Sequence, residues 1–382
     1  MSEHRIDGRD RMVMREMRLS VEHRAPDSYW GAGMSAGQAS EAVVIPRGAK
    51  RTTISDVARE AGVSKGTVSR VLNGKNWVAD PTREAVLAAM DRTGFVANSS
   101  ARSLALRRTG SLALVLGAPA TELFTDPNYA LFLQVITDEL ASFDYSLVFM
   151  TGATSAARTR LIRFLEGGHV DGMIYLSTTE PRADEFIQLL ESHPIPVIMA
   201  GHPFPDSDPL PFVAADEDEG GKVLGAHFLE RGYRRVGVIT THLETLGSKL
   251  RLRAFTDIVG DVVSKDLIVE ASDYTVKAGA AAMRTLMDRT DRPDAVYAVS
   301  DVLAAGAIEV AEELGLRVPD DVAVAGFDDS TTGRTVVPPL TTVRQDISAI
   351  ARELVTQVLG AVDGRPIQSQ RMPVTLVVRE SA

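Results

Sequence analysis

Between residues 53 and 95 the apolar positions recur at helical spacing. Ile54, Val57, Ala58 and Ala61 follow a Thr53-x-x-Asp56 start, which predicts a first helix stopping at Gly62. Ser64 is placed to cap a second helix with Val68, Val71 and Leu72 apolar and Asn73-Gly74 closing it. Asp80-Pro81 reads as an N-cap and first helical position, opening a third helix through Met90 that ends at Gly94. Residues 1–49 show no sustained period and are scattered with Gly, Ser, Arg and Pro, as expected of a mostly disordered arm.

After Gly110 the texture changes to short β-branched apolar runs, at 112–116, 147–150, 173–176, 197–200, 236–239, 295–298 and 322–325. Helical patterns lie between them, at 129–143, 186–192, 222–231, 279–287 and 303–314. Continuous apolar strands separated by helices predict parallel sheets covered on both faces. Two doubly wound sheets fit this length better than one, and the crevice between or above them is the expected ligand site.

Composition narrows the class. The chain has no cysteine, which excludes disulfides and thiolate metal sites and fits a reducing cytoplasm. No run approaches the roughly 18 apolar residues of a membrane span, and the start lacks an apolar leader, so an exported or membrane-spanning protein is not expected. Net charge is -10, but residues 50–110 carry net +6 and the chain beyond them -16. The basic segment is either a solvated surface or an electrostatic footprint for nucleic acid.

The helical segment has the parts of a helix-turn-helix. Gly62 tolerates positive φ in the turn, Val63 is apolar behind it, and Ala58 is small enough for close helix approach. Ser64 and Thr67 offer hydroxyls and amides to phosphates, while Lys65, Gly66 and Arg70 point to the groove, where a cation donates to guanine. A helical hairpin of some other bundle is the alternative on spacing alone.

"TISDVAREAGVSKGTVSRVLN" at 53–73 resembles the helix-turn-helix of the LacI/GalR family of bacterial transcription regulators, and "GFVANSSARSLA" at 94–105 resembles that family's hinge helix. The resemblance implies a DNA-contacting set of Thr53, Ser64, Lys65, Gly66, Thr67, Arg70, Asn73, Asn98, Ala101, Arg102 and Leu104. Leu104 would be the wedge that unstacks a central base step. Gly66 departs from the family, standing where a base-reading side chain is usual.

"AVSDVLAAGAIEVAEELGLRVPDDVAVAGFDDS" at 298–330 and "PPLTTVRQDI" at 338–347 extend the likeness to the body. It implies a small all-α helix-turn-helix domain followed by an α/β periplasmic-binding-protein-like body of two doubly wound parallel-sheet subdomains. The expected boundaries are an arm at 1–49, the DNA-binding domain at 50–96, hinge and linker at 97–109, and the body at 110–382. Subdomain 1 would take about 110–232 and 345–368, and subdomain 2 about 233–344 and 369–382, with the first crossing near 231–236.

Carried over residue by residue, the effector site is Tyr129, Asp216, Arg251, Tyr274, Ser300 and Asp328. Arg251 matches an arginine that grips hydroxyls or carboxylates; Ala254 replaces the usual glycine after it, and Ser300 a usual asparagine. Tyr129 and Tyr274 are aromatic platforms or plain packing, Arg251 and Asp328 ligand groups or an ion pair with each other. Asp301 reads as a helix cap, and "ADEDEG" at 215–220 as a solvated acidic loop.

No P-loop, nucleophile elbow or histidine cluster at metal-ligand spacing is found, so an enzyme, a cofactor and a metal are not expected. The reading is a cytoplasmic repressor on double-stranded operator DNA, answering to a sugar or related metabolite. It is expected as a homodimer, since the last strand runs to the end at Ala382 without a leucine-heptad tail. The alternatives are a transporter's solute-binding receptor, disfavoured by the basic head, and a regulator answering to a purine.

Overall fold

A computed structural model of the chain describes residues 52–72, 78–95, 108–176, 184–202, 210–241 and 246–382. All of them belong to the unit Thr52–Ala382. The expected arm at 1–49, Asn73, and the hinge residues Asn98, Ala101, Arg102 and Leu104 lie outside the described residues.

The head consists of α1 (Ile54–Glu60), α2 (Lys65–Leu72) and α3 (Asp80–Thr93). The Thr53 amide and hydroxyl both donate to Asp56 Oδ2, at 3.0 and 2.7 Å, which fixes the start of α1. Gly62 sits at a φ of 66° in the turn, a conformation glycine adopts without strain. Val57, Ala58, Val68, Val86 and Ala89 form the head's core, with Val63 and Phe95 packed against it. Asp80 is not the N-cap expected of it: Ala79 holds that position, and Asp80 is the first helical residue, ahead of the proline.

The body contains two six-stranded sheets. The first takes β1 (Ser111–Leu116), β2 (Ser146–Thr151), β3 (Gly172–Leu176), β4 (Val197–Ala200) and β5 (Phe212–Ala215). The second takes β6 (Val236–Thr241), β7 (Ile268–Ala271), β8 (Ala295–Ala298), β9 (Ala323–Asp328) and β10 (Thr341–Gln345). Two late strands, β11 (Gln370–Met372) and β12 (Val374–Val377), complete one sheet each. The orders are β11-β5-β4-β3-β1-β2 and β12-β10-β9-β8-β6-β7, parallel throughout except for antiparallel β12 on β10.

The helices are α4 (Glu122–Thr125), α5 (Pro127–Ser142), α6 (Ser155–Glu166), α7 (Asp184–Glu191) and α8 (Glu217–Arg231). Then follow α9 (Leu246–Val259), α10 (Val276–Met287), α11 (Asp301–Glu313), α12 (Thr331–Thr335) and α13 (Ile347–Val362). Strand β1 shows why its run is continuous. Leu112, Leu114 and Leu116 face one core with α5 and α13, while Ala113 and Val115 face another with α6 and α7, so both pleat faces are covered.

The chain changes subdomain at Asp216, ahead of α8 rather than behind it near 231–236. Leu224 and Phe228 of α8 lie in the second core beside Val236 and Phe255. The fit requires glycine: a Cβ added to Gly221 would lie 2.3 Å from the Arg251 carbonyl oxygen and 2.8 Å from Ala254 Cβ. The glycine that Ala254 replaces on α9 is thus matched by one on α8. The chain returns at Asp346, which caps α13 by accepting from the Ala349 amide at 2.8 Å. It crosses last at Pro373, because β11 pairs with β5 in the first sheet and only β12 joins the second. The expectation that 369–382 belongs wholly to subdomain 2 is corrected accordingly. No helix among the described residues is long and apolar enough to cross a membrane.

Candidate DNA interface and effector cleft

On the head, Ser64, Lys65, Gly66 and Arg70 are exposed, and Val68 of the same helix is buried beneath them. Ser64 Oγ accepts from the Thr67 amide at 3.1 Å and lies 2.9 Å from the Thr67 hydroxyl, so the two residues expected at phosphates share one capping cluster. Both hydroxyls sit at the start of α2, where amides lacking helical partners favour an anion. An added Cβ on Gly66 would lie 3.6 Å from Ser64 Oγ and 3.9 Å from Arg70 Nη2, which places these three on one face. Thr53 is exposed but its hydroxyl is committed to Asp56, whose carboxyl is held down at about 2 by the two Thr53 hydrogen bonds.

In the body the parallel strands converge by their C-terminal ends on the crossings at Asp216 and Asp346, the position at which open α/β sheets bind ligands. Arg251, on α9, is buried there. Its Nη1 donates to the Val299 carbonyl at 2.7 Å and its Nη2 to Glu217 Oε1 at 2.9 Å. Nε lies 2.8 Å from Glu217 Oε2, and Nη1 lies 3.6 Å from Asp328 Oδ1. The guanidinium carbon stands 3.8 Å over the Phe327 ring. Burial alone would lower the Arg251 pKa; the Glu217 and Asp328 carboxylates outweigh it and raise it.

Asp328 closes β9 at a φ of 119°, a conformation rare for a residue with a Cβ and found mostly at functional sites. Gln345 Nε2 donates to its Oδ1 at 2.5 Å. Burial pushes its carboxyl up; Arg251 opposes this, and the fields of Asp301 and of Asp126 add to it. Asp126 caps α5 in the first subdomain, so the two subdomains face each other here with carboxylates.

Tyr274, half-buried, hydrogen-bonds Ser248 through its hydroxyl and adds its field at Arg251. Ser300 is buried and caps α11, accepting from the Leu303 amide at 3.3 Å. Asp216 caps α8, accepting from the Glu219 amide at 3.2 Å. Tyr129 is on the first turn of α5 and packs against the first subdomain's core.

Three readings change. Asp301 is not the cap of α11, since Ser300 is. It is fully buried, accepting from the Ser330 amide and hydroxyl at 2.7 and 3.1 Å and from the Thr342 hydroxyl at 2.6 Å. "ADEDEG" is not a solvated loop: it ends β5 and begins α8, and its Glu217 is buried against Arg251. Arg251 is paired first with Glu217 and only more distantly with Asp328. The Asp216-x-x-Glu219 spacing carried a capping signal that marks a helix start, although nothing local says that Glu217 turns inward.

The sequence reading also passed over His202. It follows β4, its Nε2 donates to the Ala215 carbonyl at 3.1 Å, and burial lowers its pKa. Two buried hydroxyl groups have no hydrogen-bond partner among the described residues: that of Tyr297, whose field reaches Arg251, and that of Thr241, at the C-terminal end of β6. Such orphans cost about 1–3 kcal/mol each unless water or a ligand meets them.

Comparison with known proteins agrees with this architecture. Residues 53–98 match the family described as bacterial regulatory proteins, lacI family, and residues 226–382 match a periplasmic binding protein-like domain. The transcriptional regulator CelR of Thermobifida fusca is 35% identical over 337 residues, covering 87% of this chain and 98% of that protein. The transcriptional repressor PurR of Erwinia tasmaniensis is 32% identical, covering 86% and 96%. Among solved structures, a CelR–cellobiose complex shares 33% identity at a TM-score of 0.66, covering 87% of this chain and all of that one. A lac repressor dimer bound to operator and an anti-inducer shares 26% at a TM-score of 0.76, covering 87% and 99%. With an exposed basic face on the second head helix, a carboxylate-and-arginine cluster in the body and relatives matched over nearly their whole length, the chain belongs to the LacI family of bacterial transcription regulators.

Proposed function

We propose that the protein is a cytoplasmic homodimeric repressor whose operator affinity is set by a sugar or related polyhydroxyl metabolite in the cleft around Arg251 and Asp328. The observation that carries this reading is the gathering of Arg251, Glu217, Asp328 and Tyr274, with the buried Tyr297 hydroxyl unpartnered among the described residues beside them, where the chain crosses between subdomains. CelR, which is similar along the whole body, has been solved with cellobiose, and this favours a glucose-containing disaccharide. A purine is the second reading, favoured by the likeness to PurR.

The mechanism is linkage. A ligand that bridges Asp126 and Tyr129 on one side and Arg251 and Asp328 on the other stabilises one arrangement of the subdomains. The DNA-contacting residues, including the expected wedge Leu104, engage the operator in only one arrangement, so each ligand alters the other's affinity equally. In this reading Lys65 and Arg70 read base edges, and Ser64 and Thr67 hold phosphates.

Two measurements test it. Affinity for operator-like DNA falls steeply across a salt series, and a flat response overturns DNA regulation. A melting-temperature screen of neutral sugars and nucleobases against the full chain returns a sugar whose addition shifts operator affinity; a shift with nucleobases alone selects the purine reading.

A further inference from the structure

Glu217 fills the fork of the cleft's buried arginine. Its Oε1 accepts from Arg251 Nη2 at 2.9 Å, and its Oε2 stands 2.8 Å from Nε as an ion-pair contact that is not aligned as a hydrogen bond. Nη1 is taken by the Val299 carbonyl at 2.7 Å and faces Asp328 at 3.6 Å, while Phe327 covers one side of the guanidinium plane. The Glu217 carboxylate and the Val299 carbonyl thus stand within 2.9 Å of all three guanidinium nitrogens and block the approach of another carboxylate to the fork. The seat is shaped for this carboxylate: a Cβ on Gly247, at the head of α9, would lie 2.9 Å from Glu217 Oε1.

A carboxylate ligand is best recognised by two parallel N–H bonds from one guanidinium, and here the chain supplies that carboxylate itself. We propose that Glu217 is an internal carboxylate that sets the effector class of the cleft: uncharged polyhydroxyl compounds are accepted, and the corresponding acids are refused. The inference rests on the cleft being the effector site. The surrounding charge acts in the same direction. Asp126 and Asp328 approach from the two subdomains and offer an acid no countercharge, and burial lowers the His202 pKa, disfavouring its cationic form. Arg371, exposed on edge strand β11, is the further cation whose field reaches His202.

The test is calorimetric titration of the full chain at fixed ionic strength with matched pairs, cellobiose against cellobionate and D-glucose against D-gluconate. The wild type binds the neutral member at least about tenfold more tightly than its acid, a difference of about 1.4 kcal/mol. Glu217→Gln narrows or inverts that ratio by freeing the fork. Should that variant fold poorly, Glu217→Asp, which withdraws the carboxylate from the fork by one methylene, carries the same comparison and likewise narrows the ratio. An acid bound as tightly as its neutral partner, through Arg251 or through Arg371, overturns the exclusion and leaves the cleft reading standing. A Glu217→Gln protein that melts like the wild type and keeps the full ratio also overturns it, assigning the exclusion to Asp328 and Asp126. Silence of the wild type toward both members of each pair, with binding of adenine or guanine, overturns the underlying sugar reading instead.

Discussion

The Asp301 carboxylate occupies the space that a side chain on Gly326 would need: an added Cβ there would lie 2.3 Å from Asp301 Oδ1. Gly333 leaves a second gap, at 2.4 Å from Oδ2, so α11 presses its first residue into the end of the second sheet. Ser330 and Thr342 supply the hydrogen bonds that make this burial tolerable.

Burial pushes the Asp301 carboxyl up to about 7. The folded chain therefore holds a proton that the unfolded chain has lost, over the interval between the ordinary aspartate value and about 7. The stability from this group is present below that interval and is lost as pH rises through it, by roughly a few kcal/mol in all. Urea unfolding of the wild type and of Asp301→Asn between pH 5 and 8 checks this. The wild type weakens with pH relative to the variant, whose amide accepts from Ser330 and donates to Thr342 at any pH.

The neighbouring Asp329 behaves in the opposite sense. Burial raises its carboxyl, but Arg334, Arg379 and Arg344, at 3.0, 2.5 and 2.6 Å, outweigh burial and lower it. Its contribution is present above the ordinary aspartate range and is lost only as pH falls below it. Arg379→Ala removes the most buried of the three partners and brings acid unfolding to higher pH, as an acid titration followed by circular dichroism reads.

Breaking the Glu217–Arg251 pair from the arginine side leaves a buried carboxylate with no counterion. Arg251→Ala destabilises the body by about 3–5 kcal/mol, and Glu217→Gln in the same chain returns part of that loss. A double-mutant cycle in denaturant measures the coupling, and additive losses would refute it.

Two glycines give opposite results on replacement by alanine. At exposed Gly66 the new methyl meets only ordinary contacts, and the better helix former stabilises α2 by up to about 1 kcal/mol. Amide exchange along α2 slows by roughly fivefold at most in consequence. At Gly306 the methyl would lie 2.0 Å from the Val276 carbonyl oxygen, so α10 and α11 must separate. Gly306→Ala costs about 3 kcal/mol or more and lowers the melting temperature of the body.

Arg70→Ala separates base reading from phosphate contact. Loss of about 1–3 kcal/mol on operator DNA, with little change on unrelated DNA, is the expected outcome. Equal loss on both DNAs assigns Arg70 to phosphate.

The local pattern determined the elements. Helical spacing and the Thr53–Asp56 start gave the head helices, and the β-branched runs gave β1 to β4, β6, β8 and β9 but not β5 or β10, because period and capping depend on residues a few positions apart. β7 and β11 have one or no fully buried residue each, and escaped that reading for want of a continuous apolar run. Allegiance was decided only in three dimensions. Segment 222–231 reads as a helix from sequence, but its start at Glu217 and its membership of the second subdomain depend on glycines meeting the Arg251 backbone and the Phe327 ring. Likewise Glu217 looks like one acid in a polar run, and Asp301 like a cap. Their burial is set by Arg251, Ser330 and Thr342, all distant along the chain, and a partner that far away leaves no periodic mark on the sequence around the residue it holds.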